Sequence, residues 1–466
     1  MIPVTAEKLL AGVTRGALPE EIKKTVITGV CTDSRKVCAQ SLFVAIKGEK
    51  ADGHDFLDSV FKNGAAAALV QRIMPNAPAE KQLLVDVPLD AMINLSANYR
   101  NGFTPKICAV TGSVGKTTTK QFCYAVFSKF GQTLKTEGNQ NNEIGMPNTV
   151  FRMDEKTQYA VLEMGMQGLG EIRKLSLAAK PHAAVITCVG HSHLQQLKTR
   201  ENICRAKMEV CDGLCEGGLL VINGDDEYLP KAQVRKDIKR VTFGVSNLQN
   251  DVTAYDIKEK DGGQSFIIKD KKHGEFNAYI PAKGLHNVYN ALGAYAAAAY
   301  MGLCPKTAAE GLADYETTGF RQNIVHKGDI TVIEDCYNAN PDSMRAGINT
   351  LAQIKKDGYA VCVLGDMLEL GEISERAHAE IGGYAADKGA DLVICVGNEA
   401  RYTALEAEKA GVGAVYCGND KQLALKVLSE YCIGKKAAVL FKASRGIKLE
   451  EVMQGFYGIL DSQVKK

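Results

Sequence analysis

Short apolar runs punctuate this chain, and what separates them changes along its length. In residues 1–82 the runs SLFVAI and AAAALV flank the polar stretches CTDSRK and KGEKADGHDF, which predicts a small α/β domain with its chemistry in loops. From 83 to 314 the runs KICAV, YAVLEMG, HAAVITCVG and GLLVING alternate with segments of helical period, the first followed at once by KTTTKQFCYAVFSKF. That rhythm predicts a parallel sheet covered by helices. Over 237–285 it shortens to RVTFGV, VTAYDI, SFIIKD and FNAYI, predicting an antiparallel appendage, and a helix starting near His286 closes the block. Residues 315–466 return to strand and helix alternation through ITVIEDC, AVCVLGD, DLVICVG, AVYCG and AAVLFKAS. The expected fold class is α/β in three domains: a small N-terminal one (1–82), a central P-loop-type mononucleotide-binding sheet with helices (83–314), and a Rossmann-like doubly wound C-terminal one (315–466).

The length agrees with this division, since 466 residues exceed the roughly 250–300 that one core supports. Basic and acidic side chains nearly cancel, 56 against 54, so no global field recruits nucleic acid or an anionic membrane. The longest small-apolar run, Ala294 to Cys304, is about half of the ~20 residues of a membrane span, and no membrane insertion is expected. Fourteen cysteines without paired CxxC spacing, and an N-terminus MIPVTAEKLLAGVTRG without a secretory pattern, read as reduced thiols in the cytoplasm. Cys211 and Cys215, one turn apart on an expected helix, read as packing rather than zinc ligands. A monomer acting on small molecules is expected.

The most specific local signal follows KICAV: Thr111, Gly112, Ser113, Val114, Gly115, Lys116, Thr117 and Thr118, opening a helix. Glycines let successive amides turn inward, and a helix N-terminus adds partial positive charge, so together they cradle phosphate oxygens. Lys116 would reach the terminal phosphates and Thr117 would hold magnesium. The commoner spacing puts a glycine where Val110 stands, so this is a compact GxxGKT form of an ATP or GTP site.

With that loop, the segments GNQNNEIGMPNTV (138–150), LEMGMQGLGEI (162–172), HLQQLKTRENICRAKMEV (193–210), GLHNVYNAL (284–292), DCYNANPDSM (335–344), LGDMLELG (364–371) and KASRGIKLEEV (442–452) resemble the Mur ligase family in order and spacing, over nearly the whole chain. The resemblance implies an enzyme that uses ATP and Mg2+ to join an amine to a carboxylate in peptidoglycan synthesis. The substrates it implies are ATP, a UDP-N-acetylmuramoyl-tripeptide and D-alanyl-D-alanine. A related Mur-type or folylpolyglutamate-synthetase-like ligase with another acceptor, a nucleotide switch or kinase, and a non-catalytic paralogue are the alternatives.

Activating a carboxylate on ATP brings two anions together, so cations must gather there. Glu163 and His193, each after a strand, can supply metal ligands beside the Thr117 hydroxyl, as the matching family residues do. Taken singly, such a Glu is usually a solvated loop residue and such a His a hydrogen-bonded structural one; their convergence on one strand-end crevice favours the site. Lys207 reads as a surface lysine with a packed stem or, by resemblance, as a carbamylated metal ligand. Carbamylation needs the neutral amine, and lowering a pKa from about 10.4 to 7 takes ~4.6 kcal/mol. Lys116, His193 and Lys207 are the catalytic candidates.

By resemblance Thr32, Asp33, Ser34, Arg35, Lys47, Gly48, Asp52, Gly53 and His54 hold the uridine end of the sugar nucleotide, though surface-turn chemistry also fits them. Asn139, Asn141 and Asn142 line the peptide path or form a plain turn. Asn287 is a nucleotide contact, a helix cap, or both. Pro341 starts an expected helix, so Asp335, Asn338 and Asn340 would line the mouth of the sheet; by resemblance they and Arg321 meet the nucleotide, with a surface ion pair the other reading of Arg321. Lys442, Ser444 and Arg445 can clamp the carboxylate of the incoming dipeptide, or form surface ion pairs. The chain departs from the family's usual asparagine at Cys188, glutamate at Gln195, and glycine at Lys198 and Ala443.

Overall fold

The computed structural model describes residues 1–355 and 357–464, and all three blocks are α/β. Near the N-terminus β1 (Val4–Thr5) and β2 (Val26–Ile27) pair antiparallel. Strands β3 (Gly29–Cys31), β4 (Ser41–Val44), β5 (Ala67–Val70) and β6 (Gln82–Leu84) form a parallel sheet in sequential order. The segments Thr32–Arg35 and Lys47–His54 leave the carboxyl ends of β3 and β4.

The central sheet comprises β7 (Lys106–Thr111), β8 (Thr133–Lys135), β9 (Tyr159–Glu163), β10 (Ala183–Ile186), β11 (Leu219–Asn223), β12 (Lys239–Gly244), β13 (Val252–Lys260), β14 (Gly263–Asp270) and β15 (Gly274–Ile280). Their order is β15-β14-β13-β12-β11-β10-β7-β9-β8. Ile107 to Val110 are buried in succession, as a strand covered on both faces requires. The helix Leu285–Tyr300 packs its alanine-rich length against the helix Lys116–Ser128 and the sheet, and the small side chains allow the close approach.

Three expectations change here. The strands of 237–285 are no separate appendage: they extend the central sheet, and β12 within RVTFGV pairs parallel with β11. Only β13–β14 and β14–β15 are antiparallel. Cys211 lies in a 3-10 turn (Glu209–Gly213) and Cys215 in the loop beyond, not together on a helix. Asn287 lies inside its helix, whose N-cap is Gly284, so it does not cap it.

The last sheet comprises β16 (Asn323–Lys327), β17 (Ile330–Asp335), β18 (Tyr359–Gly365), β19 (Leu392–Val396), β20 (Gly413–Tyr416) and β21 (Ala437–Lys442), ordered β16-β17-β21-β18-β19-β20, with β16–β17 the antiparallel pair. One apolar cluster runs from Ala6 and Leu42 through Met92 to Leu162 and Ile222, so the first block shares a core with the central sheet. Among the described residues no helix is long and apolar enough to cross a membrane.

Candidate active site

Strand β7 is where the central sheet changes direction, because the chain builds β8 and β9 on one side of it and β10 to β15 on the other. Ligands of such sheets bind beyond the carboxyl ends at this point, and the glycine loop stands there. Gly112 (φ 146°) and Gly115 (φ 86°) take backbone angles that disfavour side chains. A Cβ on Gly112 would run into the Thr187 hydroxyl, and one on Gly115 into the Asn290 carboxamide. The Ser113 amide donates to Cys188 O (2.9 Å) and its Oγ accepts from Gly190 N (2.9 Å), so Ser113 ties the loop to the strand β10 exit. The first amides of the helix Lys116–Ser128 have no carbonyl within it to bond and remain for an anion.

Lys116 folds back over the loop, donating to Gly112 O (2.8 Å) and Ser113 O (3.3 Å), and burial lowers its pKa. Register sets Glu163 beside Val110, at the ends of β9 and β7. Its buried carboxylate accepts from the Thr117 hydroxyl (2.9 Å) and Asn141 Nδ2 (2.8 Å), with Lys120 Nζ at 3.3 Å. Burial alone would raise the Glu163 pKa, but Lys120, Arg321 and Lys116 outweigh it and hold the carboxyl below its usual range. Lys120, which the sequence reading passed over, repeats the loop lysine one helical turn on, in KTTTK.

His193 reaches the same cavity from a left-handed position (φ 63°). Its Nδ1 lies 2.9 Å from Glu369 Oε2 but off the direction of a well-formed hydrogen bond, and the ring lowers the Glu369 pKa. Lys207, on the helix Arg200–Met208, is fully buried rather than at the surface. Burial, with Lys116 adding to it, pulls its pKa down to about 7.

Across the cavity stands the last sheet. Lys442 Nζ meets Asp335 Oδ2 at 2.6 Å, and burial pushes the Asp335 pKa up against that pull. Asn340 caps the helix Pro341–Ile354 through Ser343 N (2.8 Å) and donates to Ser192 Oγ of the central block. Asp342 accepts from His191 N (3.0 Å), and Gly190 must lack a side chain to leave it room. The Arg321 guanidinium lies over the Tyr337 ring, 4.1 Å from its centre. His286, another residue the sequence reading passed over, bonds Gln322 (2.7 Å); burial lowers its pKa to about 4, keeping it neutral.

The cavity, about 870 Å³, brings together Ser113, Gly115, Lys116, Thr118, Asn139, Asn141, Asn142, Glu163, His193, Asn287, Arg321, Asp335, Asn338, Asn340 and Lys442. Thr117 lies below its wall, turned to Glu163. Asn287 Nδ2 bonds Lys283 O (2.7 Å), and Asn142 accepts from Gly145 N (2.9 Å). Other candidates stand apart from this lining. Ser444 is buried, accepting from Leu368 N (2.9 Å), and Arg445 pairs with Glu450 (2.9 Å). Arg35 pairs with Asp33 (2.8 Å) while its side chain stays exposed. His54 is fully buried; its Nδ1 meets Asp52 (2.6 Å) and its Nε2 accepts from Gln71 N (3.0 Å), so it braces the loop that carries Asp52. Lys47 and Gly48 stay exposed nearby.

Residues 26–100 match the Mur ligase catalytic domain, 110–298 the Mur ligase middle domain and 320–445 the Mur ligase glutamate ligase domain. The chain belongs to the Mur ligase family. It is 40% identical over 454 residues to the UDP-N-acetylmuramoyl-tripeptide–D-alanyl-D-alanine ligase of Bacillus subtilis (strain 168), across 96% of this chain and 97% of that one. To the protein of the same name from Escherichia coli (strain K12) it is 33% identical, across 97% and 98%. A crystal structure of MurF from Acinetobacter baumannii superposes with a TM-score of 0.89 at 32% identity, across 97% of this chain and 98% of that one. MurF ligase from Thermotoga maritima, solved in complex with ADP, superposes with a TM-score of 0.83 at 28% identity, across 93% and 98%.

Proposed function

We propose that this chain is an ATP-dependent ligase that joins D-alanyl-D-alanine to UDP-N-acetylmuramoyl-tripeptide, acting as a cytoplasmic monomer in peptidoglycan precursor synthesis. The observation that carries the chemistry is one cavity in which the phosphate loop, Glu163 and His193 face Arg321, Asp335 and Lys442. Full-length similarity to ligases of that name supports the substrates. In this reading residues 1–82 hold the sugar nucleotide through Thr32–Arg35, Lys47, Gly48 and Asp52. Residues 83–314 hold ATP, and 315–466 bring the dipeptide.

The loop amides and Gly112–Thr118 seat the phosphates, while Lys116 exchanges its two loop carbonyls for phosphate oxygens. Asn287, Asn338 and Asn340 contact the nucleotide, and Arg321 adds charge from the far side. The tripeptide carboxylate attacks the γ-phosphorus, ADP departs, and an acyl phosphate forms. The dipeptide amine then attacks the acyl carbon, an amide bond forms, phosphate leaves and the amine loses a proton. Asn139 and Asn141 lie on the side where the peptide enters, and Lys442 draws the dipeptide carboxylate.

The donor set fits magnesium. A carboxylate and a hydroxyl lie 2.9 Å apart and a histidine lines the same cavity; magnesium bound with a nucleotide takes few protein ligands and completes its shell with phosphates and water. Thr117, Glu163, His193 and a carbamylated Lys207 would hold the metal, which when bound offsets the phosphates' negative charge. A Lys207 pKa of about 7 leaves much of the amine neutral near neutral pH; carbon dioxide then adds to nitrogen, an N–C bond forms and a proton is released.

The test is phosphate release by purified protein with ATP, magnesium, UDP-N-acetylmuramoyl-tripeptide and D-alanyl-D-alanine. Release should require all of them and vanish in Lys116→Ala. Release that needs a different amine in place of the dipeptide would overturn the acceptor, and full turnover by Lys116→Ala would overturn the loop's role.

A further inference from the structure

Two strained residues face each other where the last block meets the central one. His193 and Glu369 both hold left-handed backbone (φ 63° each), a region that side chains bearing a Cβ avoid unless their surroundings impose it. Their side chains lie 2.9 Å apart, Nδ1 to Oε2. That nitrogen is buried and, Glu369 included, meets no group in well-formed hydrogen-bond geometry among the described residues.

Glu369 is fixed from its own side. The amides just before it are held in turn: Met367 N donates to His378 Nε2 (3.0 Å) and Leu368 N to Ser444 Oγ (2.9 Å). Asp366 bonds Asn398 N (2.9 Å) and Ala400 N (2.7 Å), anchoring the loop's start. At the far side, Gln195 N of the central block donates to Glu369 O (3.2 Å). The backbone of this loop is thus held where the Glu369 carboxylate reaches His193.

We infer that Glu369 is a positioning residue for the metal site: it holds the Nδ1 side of His193, leaves Nε2 for the metal, and completes the site only when the last sheet is docked. This rests on the proposed reading of His193 as a metal ligand. An imidazole that ligates metal through one nitrogen is normally oriented by a partner at the other. Here that partner comes from a different sheet, so the arrangement that delivers the acceptor also finishes the metal site. A contact serving domain adhesion alone would need neither strained backbone.

The experiment uses the full chain with a non-hydrolysable ATP analogue and Mn2+, following bound metal by electron paramagnetic resonance. Glu369→Gln should weaken Mn2+ binding about 10-fold or more, in the range typical of partners that orient metal ligands. His193→Ala should weaken it at least as much, and the double variant should be no worse than His193→Ala. Glu369→Gly, which relieves the backbone, should melt no lower than the parent chain while showing the same loss of Mn2+. Parent-like Mn2+ affinity in Glu369→Gln, or a loss that persists in full without His193, overturns the inference while leaving the metal reading intact. If His193→Ala itself binds Mn2+ like the parent, the metal role of His193 falls and this inference with it.

Discussion

Replacing Lys207 by methionine removes an ammonium from a place where burial, aided by the charge of Lys116, brings the pKa from 10.5 down to about 7. A group whose folded pKa lies below its unfolded value destabilises the fold when protonated. The penalty is complete below pH 7 and relaxes as pH rises toward 10.5, because in that window the unfolded chain binds more protons than the folded one. A shift of about 3.5 units at ~1.36 kcal/mol per unit gives about 5 kcal/mol at pH 6 and about 2 kcal/mol at pH 9. Methionine keeps the length and fills the space without the charge. Lys207→Met should therefore stabilise the central sheet by about 5 kcal/mol at pH 6, with the gain shrinking by more than half by pH 9.

The measurement is native-state hydrogen exchange of amides in β7 and β10, which reports opening of the central sheet without assuming that the whole chain unfolds at once. Parent and variant are compared at several values between pH 6 and 9 in buffer freed of carbon dioxide. A stability difference that does not change with pH would refute the buried-amine argument, whatever its size. Adding bicarbonate should then stabilise the parent chain and leave Lys207→Met unmoved, since only the lysine can form a carbamate.

Two further substitutions probe other parts of the site. Gly115→Ala places a Cβ at φ 86° against the Asn290 carboxamide; a loss of about 2 kcal/mol in stability and at least tenfold in calorimetric affinity for an ATP analogue is expected, and native affinity would speak against the loop. His54→Ala leaves Asp52 and the Gln71 amide short of a buried partner, so urea unfolding should show a loss of about 2–4 kcal/mol. Native stability with a raised KM for the sugar nucleotide would make His54 a substrate contact instead.

Strand ends were readable because burial on both faces leaves an apolar run in one dimension, and the chemistry of a parallel sheet begins where the run stops. Ser113 to Lys116, Glu163, His193 and Asp335 were singled out that way, and they stand around one cavity. The parallel pairing of β12 was not, because short strands between turn residues look alike whichever way they pair; here the segment 224–238 carries the chain back before β12 begins. Lys120 was missed since one helical turn separates it from Lys116 and nothing local says that it turns inward to Glu163. Glu369 lies far from His193 in sequence, and only docking of two sheets makes them neighbours. Nor could the sequence show that Ser444, a polar residue after a strand, accepts from the backbone amide of Leu368.

The charge around Glu163 shows why a site split between two sheets suits a reaction that must not start early. Three cations keep that buried carboxyl ionised, and they come from different places: Lys116 and Lys120 lie on the helix behind the loop, while Arg321 precedes the first strand of the last sheet and is steadied by Tyr337. Phosphates entering the loop add negative charge to a pocket already holding a carboxylate, and Coulomb repulsion between them grows as water leaves. Lys116 and Lys120 belong to the central block, Arg321 and Lys442 to the last one. A bound nucleotide therefore meets its full set of cations, and an attacking carboxylate becomes tolerable beside it, where the last block brings Arg321, Asp335 and Lys442 to the cavity. Separating the sheets withdraws Arg321, and the transfer loses the charge that offsets two approaching anions.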